Sequence, residues 1–322
     1  MLKLSIQFSF RLFNSNKKFI NKSKSHEVTP NPDFLSKANE VITSLEGCRA
    51  KSTIDNYKTV LRSFSKFVEG DVATDSIDVH LIEGYQQWLT SQGVSQNSIS
   101  CYMRSLRSLL HLIVPDTKRM TMFDTVFTGK TYTEKRAISI EEIAMLRQLT
   151  FPDKSPLQFS RDIFLFSLYA LGMPFVDIAF LQKRQIRDGY IIYHRHKTGQ
   201  RVRVRIEEPM RQIISKYDSD DSPFVFPILK DCSCMHDYES ARSKYNRHLK
   251  VIGRMTGIRR PLTSYVARHS WASIAYHSNV DLAVISKALG HTSPQTTLTY
   301  IRQIDDFRID QANEQMLKSF CF

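Results

Sequence analysis

Apolar residues recur at helical spacing through much of the first third of the chain. Three stretches carry this pattern, and polar residues separate them. They are marked by Ile54, Tyr57, Leu61, Phe64 and Val68; by Leu81, Tyr85, Trp88 and Leu89; and by Ile99, Tyr102, Leu106, Leu109, Leu110 and Ile113. We therefore predict a helical domain over residues 28–127. Ser52 or Thr53 is expected to open one helix, and Ser95 to cap another.

The second part of the chain combines helical spacing with one alternating stretch. Ser139 and Glu142 have the spacing of a capping box, and residues 158–182 have the pattern of an apolar helix pair broken at Gly172. Apolar and polar residues alternate over residues 190–206, which predicts a β-hairpin. We expect it to turn at Thr198 and Gly199, with Val202, Val204 and Ile206 on one face and Arg201, Arg203 and Arg205 on the other.

Two further elements and a linker complete the predicted organisation. A short strand is expected at residues 224–226 and a helix at about 238–255. Residues 128–138 are polar and lack apolar periodicity, so we interpret them as a linker between two domains. The predicted fold class is mainly α with a small β-sheet.

The stretch from Thr263 to Tyr300 has two helical patterns and three prominent polar side chains. The first pattern begins at Thr263 or Ser264 and includes Arg268 in its early turns. The second pattern covers residues 281–289, and Gly290 follows it as a helix-terminating residue would. His291 therefore lies just past a helix end. Ser293 and Pro294 are typical of a further helix start, which places Tyr300 on a third helix.

These three side chains suit chemistry on a phosphodiester. A guanidinium such as that of Arg268 holds a phosphate through two parallel hydrogen bonds. The imidazole of His291 can donate to a phosphate oxygen or relay a proton. The hydroxyl of Tyr300 can attack phosphorus and form a covalent ester. Taken singly, each could instead be a surface, loop or half-buried residue without a catalytic role.

The whole stretch resembles the C-terminal signature of the tyrosine recombinase (phage integrase) family. ARHSWA at residues 267–272 is similar to the family's arginine box, and ISKALGHTSPQTTLTY at residues 285–300 to its histidine-to-tyrosine box. Weaker similarity extends over residues 28–262, most like the recombinases of Bacteroides-type bacteria. The resemblance implies a helical core-binding (SAM-like) domain at 28–127 and an α+β catalytic domain at 139–322.

The resemblance also implies catalytic roles. Tyr300 would be the nucleophile, Arg268 and His291 would stabilise charge on the phosphate, and Lys197 in the hairpin turn would be the general acid. Two positions depart from the family pattern. Pro174 stands where the family has its first active-site arginine, and no nearby residue matches that motif. Tyr265 stands where the family usually has a histidine; its hydroxyl can still donate to a phosphate oxygen.

The charge balance favours a polyanionic partner. Lys and Arg number 45 against 32 Asp and Glu, a formal net charge of +13. With the resemblance, this predicts double-stranded DNA as the partner. The cations expected to contact it, unless they only form solvated surfaces, are Lys58, Arg62, Arg104, Arg107 and Arg195. The resemblance implies a homotetramer on DNA, joined by exchange of C-terminal tails, and no metal or small-molecule cofactor.

Several alternatives stay open at this level. A type IB topoisomerase uses the same chemistry within one duplex. A catalytically impaired DNA-binding protein would bind DNA without cleaving it. A chance signature on a basic helical protein is a third alternative. Cys232, Cys234 and His236 lack a fourth zinc ligand, so we expect a plain loop there.

Composition and the N-terminal segment bear on location. No apolar run approaches a membrane-spanning length of about 20 residues, and five cysteines fit a reducing cytoplasm rather than a disulfide framework. Residues 1–27 are basic and alternate in polarity, unlike a signal peptide. We interpret them as a flexible basic arm that touches DNA; the alternative is an overlong predicted start without a function. We expect a bacterial cytoplasmic protein associated with the nucleoid.

Overall fold

The computed structural model describes residues 33–114, 121–131, 137–219, 221–229, 235–291, 297 and 306–320. The chain divides into two compact units, residues 1–133 and 134–322. The predicted N-terminal arm and residues 132–136 of the predicted linker therefore lie outside the described residues. Described helices and the small sheet agree with the predicted fold class, mainly α with a small β-sheet.

The first unit is helical throughout its regular structure. Its α-helices are α1 (Phe34–Leu45), α2 (Lys51–Phe67), α3 (Val79–Ser91) and α4 (Gln96–Ile113). Its core includes three aromatic rings that meet edge to face: Phe64 lies 5.6 Å from Phe34 and 5.1 Å from Tyr85, measured between ring centroids. Such edge-to-face pairs add favourable electrostatics to the apolar burial.

The three predicted helices of this unit are confirmed, with corrections at two starts and one omission. Helix α2 begins at Lys51 after Ala50, one residue before Ser52, and no side chain caps it. Ser95 does precede α4, but its hydroxyl contacts the Ser98 hydroxyl at 2.9 Å instead of a backbone N–H. Helix α1 was not predicted, because only Phe34, Ala38 and Ile42 are buried on it and Ala38 gives a weak apolar signal.

The second unit surrounds a larger core. Its elements, in chain order, are α5 (Ile140–Gln148), α6 (Pro156–Tyr169), α7 (Phe175–Ala179), β1 (Ile186–Arg187), β2 (Tyr190–His194), β3 (Arg201–Arg205), α8 (Glu208–Tyr217), α9 (Met235–Met255), α10 (Ser264–His277), α11 (Leu282–Ala288) and α12 (Asp306–Phe320). The capping box at the start of α5 is confirmed: Ser139 and Glu142 exchange backbone hydrogen bonds.

The predicted hairpin is confirmed, and it belongs to a three-stranded antiparallel sheet of order β1-β2-β3. Tyr190 pairs with Arg205 and His194 with Arg201. Val202 and Val204 are buried while the three arginines of β3 are exposed, as the alternation predicted. The two-residue strand β1 was too short to predict. The strand expected at 224–226 is wrong: these residues are buried, but Phe224 forms only an isolated bridge with Gln182.

Two absences can be stated for the described part of the chain. None of its helices is long and apolar enough to cross a membrane. The same residues contain no grouping of His, Cys, Asp or Glu suited to a metal ion. Cys232 and Cys234 of the loop considered for zinc lie outside the described residues.

Candidate active site

The site is built where the turn between α6 and α7 meets α10. Two consecutive left-handed residues, Leu171 (φ 59°) and Gly172 (φ 68°), form the turn that follows α6. Ser167 stabilises the turn, since its hydroxyl donates to the Met173 carbonyl at 2.6 Å. A Cβ atom on Gly172 would lie 2.9 Å from the Cα of Arg268. The turn can therefore touch the backbone of α10 only because a glycine is present.

Arg268 is held in this contact although it is almost fully buried (4% exposed). Its Nη1 donates to the Gly172 carbonyl at 3.0 Å, and its Nη2 donates to the Leu289 carbonyl at 2.6 Å. The same Nη2 lies 3.0 Å from Nε2 of His291. These contacts fix the guanidinium plane beside the histidine, although 23 residues separate the two in sequence. The sequence prediction that Arg268 and His291 act together is consistent with this geometry.

His291 is oriented from both sides of its ring. A guanidinium has no acceptor, so Nε2 must accept from Arg268 and the proton must be on Nδ1. Nδ1 then donates to the hydroxyl of Thr297 at 2.8 Å. Burial, together with the positive charges of Arg268, Arg195 and Lys197, lowers the pKa of His291 to about 4. The imidazole is therefore neutral at pH 7.

The helix end that presents His291 has a complete hydrogen-bonded cap. The Gly290 N–H donates to the Lys287 carbonyl at 3.0 Å, and the His291 N–H donates to the Ser286 carbonyl at 3.0 Å. Together with the positive φ of Gly290 (62°), this is a Schellman motif. It confirms the predicted termination of α11 at Gly290. Because the motif fixes the backbone, His291 leaves the helix in one defined direction.

Arg195 directly follows β2. One interpretation of the sequence placed it on an exposed sheet face, and the structure corrects this. Its side chain is buried (7% exposed). Its Nη1 donates to the Leu289 carbonyl, which also accepts from Arg268. Its Nε lies 2.9 Å from the Oδ2 of Asp177, in an ion pair too poorly aligned to be a hydrogen bond. Arg195 therefore belongs to the same cluster as Arg268 and His291.

Asp177, on α7, was not predicted as a site residue. Its Oδ1 accepts a hydrogen bond from the backbone N–H of His196 at 2.9 Å. Asp177 therefore holds both the start of the hairpin turn and the side chain of Arg195. Burial raises the pKa of its carboxyl, and the His196 N–H and Arg195 oppose that effect. The sequence signal for Asp177 was a single acidic residue in the apolar run FVDIAF. A carboxylate buried in such a run needs a cation as its partner.

The remaining predicted catalytic residues stay predictions. Lys197 is exposed in the hairpin turn, near enough to His291 to affect its pKa. Tyr265 lies one turn before Arg268 on α10 and is 53% exposed, with its ring 6.0 Å from that of His269. Tyr300 lies outside the described residues, whereas Thr297 just before it is described and buried.

The predicted DNA-contacting cations of the first unit lie on helix surfaces. Lys58 forms a 2.6 Å ion pair with Glu46, and both side chains are about half exposed. Arg62 and Arg104 are exposed, and each donates its Nε to a carbonyl one turn earlier, at 3.2 Å. Arg107 is half-buried on α4. These contacts leave both interpretations open, a phosphate-binding surface or a solvated one.

Comparison with known proteins decides the family. Residues 139–306 match the model of the phage integrase family, and residues 33–114 match that of the phage integrase SAM-like domain. The first match alone covers more than half of the chain. The chain belongs to the phage integrase family. Members of this family are tyrosine recombinases, enzymes that cleave and rejoin DNA, and site-specific DNA recombination is the function that the relatives support.

Individual relatives agree with this assignment. The tyrosine recombinase XerD of Listeria monocytogenes serotype 4b is 24% identical over 266 residues, covering 77% of this chain and 87% of the relative. XerD of Bradyrhizobium diazoefficiens is 25% identical over 283 residues, covering 79% and 87%. These relatives do not favour the topoisomerase or the inactive DNA-binding alternatives.

Solved structures show the same fold. The Tn1549 transposon integrase in complex with transposon right-end DNA has a TM-score of 0.66 at 14% identity, covering 88% of this chain and 98% of that one. The XerH site-specific recombinase bound to palindromic difH substrate also has a TM-score of 0.66, at 17% identity, with coverages of 87% and 84%. The SAM-like and catalytic architecture expected from the sequence is thereby confirmed.

Proposed function

We propose that this integrase-family protein recombines double-stranded DNA at specific sites through a 3′-phosphotyrosyl intermediate formed by Tyr300. The phenolic oxygen of Tyr300 forms a bond to the scissile phosphorus, and the bond from phosphorus to the 5′-oxygen breaks. The departing 5′-oxygen keeps the bonding electron pair and takes a proton from Lys197. A 5′-hydroxyl of a partner strand then reverses the step and joins the new strands.

One observation carries the proposal: Arg268 on α10 and His291 just past the end of α11 come together in one preorganised site. Arg268 Nη2 is 3.0 Å from His291 Nε2, and the same Nη2 donates to the Leu289 carbonyl at the end of α11. A guanidinium held in this way is positioned to donate to the non-bridging oxygens of a phosphodiester, with Nη2 turning from His291 to the phosphate. When Arg268 Nη2 donates to the phosphate instead of His291, the Nε2 lone pair of the neutral imidazole becomes available, and we assign His291 as the base for the phenolic proton of Tyr300.

We further propose that the active form is a homotetramer on DNA. The support is the C-terminal helix α12, on which Met316, Leu317 and Phe320 are 51%, 51% and 65% exposed. An apolar stripe of this kind suits burial against another protomer. We place the reaction in the bacterial cytoplasm at the nucleoid, where the DNA substrate lies. The chemistry itself uses no metal, since protein cations neutralise the phosphate.

A covalent-trapping assay tests the proposal. Purified protein is mixed with nicked duplexes from the flanks of its own gene in the presence of EDTA, then denatured and run on a gel. A slowly migrating protein–DNA band in the wild type, absent in Tyr300→Phe, is the expected result. Tight binding with no adduct on any flanking duplex would contradict the proposal. Relaxation of a supercoiled plasmid that carries no recombination site would instead indicate a topoisomerase.

A further inference from the structure

The chain has a proline where the family has its first active-site arginine, yet its site contains two guanidinium groups. Pro174 directly precedes α7, where its backbone is extended (φ −62°, ψ 149°). We propose that Arg195, from the hairpin, supplies the phosphate contact that this position would otherwise make. The inference rests on the proposed function, because it assigns a second ligand to the phosphate that Tyr300 attacks.

A shared acceptor places the two guanidinium groups together. Arg195 Nη1 and Arg268 Nη2 both donate to the carbonyl oxygen of Leu289. Two donors on one acceptor, each within hydrogen-bond reach, are at most about 6 Å apart. Adjacent non-bridging oxygens of one phosphate can therefore be reached from both side chains.

The position of Arg195 is fixed by contacts on three sides. Asp177 pairs with its Nε at 2.9 Å and orients the guanidinium from α7. Its aliphatic stem lies against Gly290, where an added Cβ would meet Arg195 Cγ at 3.0 Å and Val202 Cγ2 at 3.1 Å. A side chain with this much support is preorganised for a ligand, unlike an arginine on an exposed sheet face.

Charge balance points to an anion as the ligand. Arg195 and Arg268 are both buried, and Asp177 is the carboxylate that faces them. Other titratable groups near this point are exposed Lys197 and His196, half-buried His291 and buried Tyr193. One buried carboxylate against two buried guanidinium ions leaves an excess positive charge, which a phosphodiester monoanion neutralises.

Two cations nearer to the α6–α7 turn in sequence, Arg161 and Lys183, have other partners. Arg161 donates its Nε to Asp162 at 2.6 Å, and its Nη1 donates to three carbonyls at the end of α5. Lys183 pairs with Asp218 at 2.7 Å. Neither contact set leads to the Leu289 carbonyl. Arg195, in contrast, shares the Leu289 carbonyl with Arg268.

The test compares two scissile groups. Wild-type adducts first map the scissile position, and nicked duplexes are then made with either a phosphodiester or a neutral methylphosphonate there. If Arg195 neutralises phosphate charge, Arg195→Ala should form adducts at least about 100-fold more slowly on the phosphodiester, the usual effect of losing one transition-state donor. On the methylphosphonate, Arg195→Ala should form adducts only about tenfold more slowly than the wild type, or less, because this group has no charge to neutralise.

Three controls make the result decisive. Arg211→Ala removes an equal charge from the exposed face of α8 and should match the wild type on both duplexes. The double variant Arg195→Ala/Asp177→Asn avoids an unpaired buried carboxylate, so it should fold even if the single variant does not, and it should show the same methylphosphonate rescue. Gel-shift affinity should change only a few-fold in each variant.

The outcomes separate the two proposals. Adduct formation by an Arg195 variant within threefold of the wild type on the phosphodiester would overturn the inference and leave the proposed function intact. An equal loss of adduct rate on the phosphodiester and methylphosphonate duplexes would also overturn the inference, because Arg195 would then only position other groups. Absence of any wild-type adduct would overturn the proposed function and the inference together.

Discussion

Substituting alanine at Gly172 tests whether the site depends on the close approach of a turn to α10. The φ of Gly172 is 68°, and Gly257 has nearly the same φ of 70° with no atom within 4 Å of an added Cβ. An alanine at either position costs about 1–2 kcal/mol for the left-handed conformation. Gly257→Ala is therefore a matched control for the backbone term alone.

The Gly172 variant carries an additional packing term. Its Cβ would lie 2.9 Å from Arg268 Cα, whereas carbon atoms pack best at about 3.5–4.0 Å. The turn and α10 must then separate by about 0.6–1 Å, and overpacking of this kind costs about 1–3 kcal/mol. We expect Gly172→Ala to lower the free energy of unfolding by about 2–5 kcal/mol. Adduct formation should fall about 100-fold, because Arg268 moves with α10.

Urea unfolding and adduct rates measure the two effects. The chain has two tryptophans, Trp88 in the first unit and Trp271 on α10, so a Trp88→Phe background reports the second unit through Trp271 fluorescence. Equal destabilisation of the Gly172 and Gly257 variants would refute the reasoning about the close approach. A normal adduct rate in Gly172→Ala would refute the claim that the turn positions Arg268.

Three further predictions concern stability. The native pKa of His291 (about 4) lies below the unfolded value near 6.5, so the stability that this residue contributes is lost as pH falls from 6.5 to 4. For this half-exposed ring the loss is on the order of 1 kcal/mol. In His291→Asn, the free energy of urea unfolding should therefore change with pH by about that much less than in the wild type. Asp162→Ala should cost about 3–5 kcal/mol in the same assay, because buried Asp162 binds Arg161, Lys216 and Tyr217 at 2.6–2.7 Å; Asp162→Asn, which can keep hydrogen bonds, should cost less. Ser139→Ala should cost about 1 kcal/mol by removing the cap of α5, and Ser139→Thr should be close to the wild type. An unchanged urea midpoint in Asp162→Ala or in Ser139→Ala would contradict the role given to that residue.

Local sequence features were sufficient for most elements. The apolar spacing of α2 to α4, the alternation of the β2–β3 hairpin and the cap residues of α5 and α11 depend on neighbours within about ten residues. Each of these elements forms where predicted, apart from the start of α2. The failures have local causes too: α1 buries only Phe34, Ala38 and Ile42, and the run at 224–226 is buried without a pairing strand.

The candidate site likewise combines what local motifs predict with what they cannot. Through the family resemblance, the sequence predicted Arg268, His291, Lys197 and Tyr300 as site residues, because these residues lie in or near recognisable local motifs. It could not assign Arg195 to the site, because Arg195 meets Leu289 across 94 residues and Asp177 across 18. Alternation alone left Arg195 as a possible sheet arginine. Only the tertiary structure decides that α7, β2 and α11 converge, because long-range packing buries the Arg195–Asp177 pair and supplies the carbonyl that joins Arg195 to Arg268.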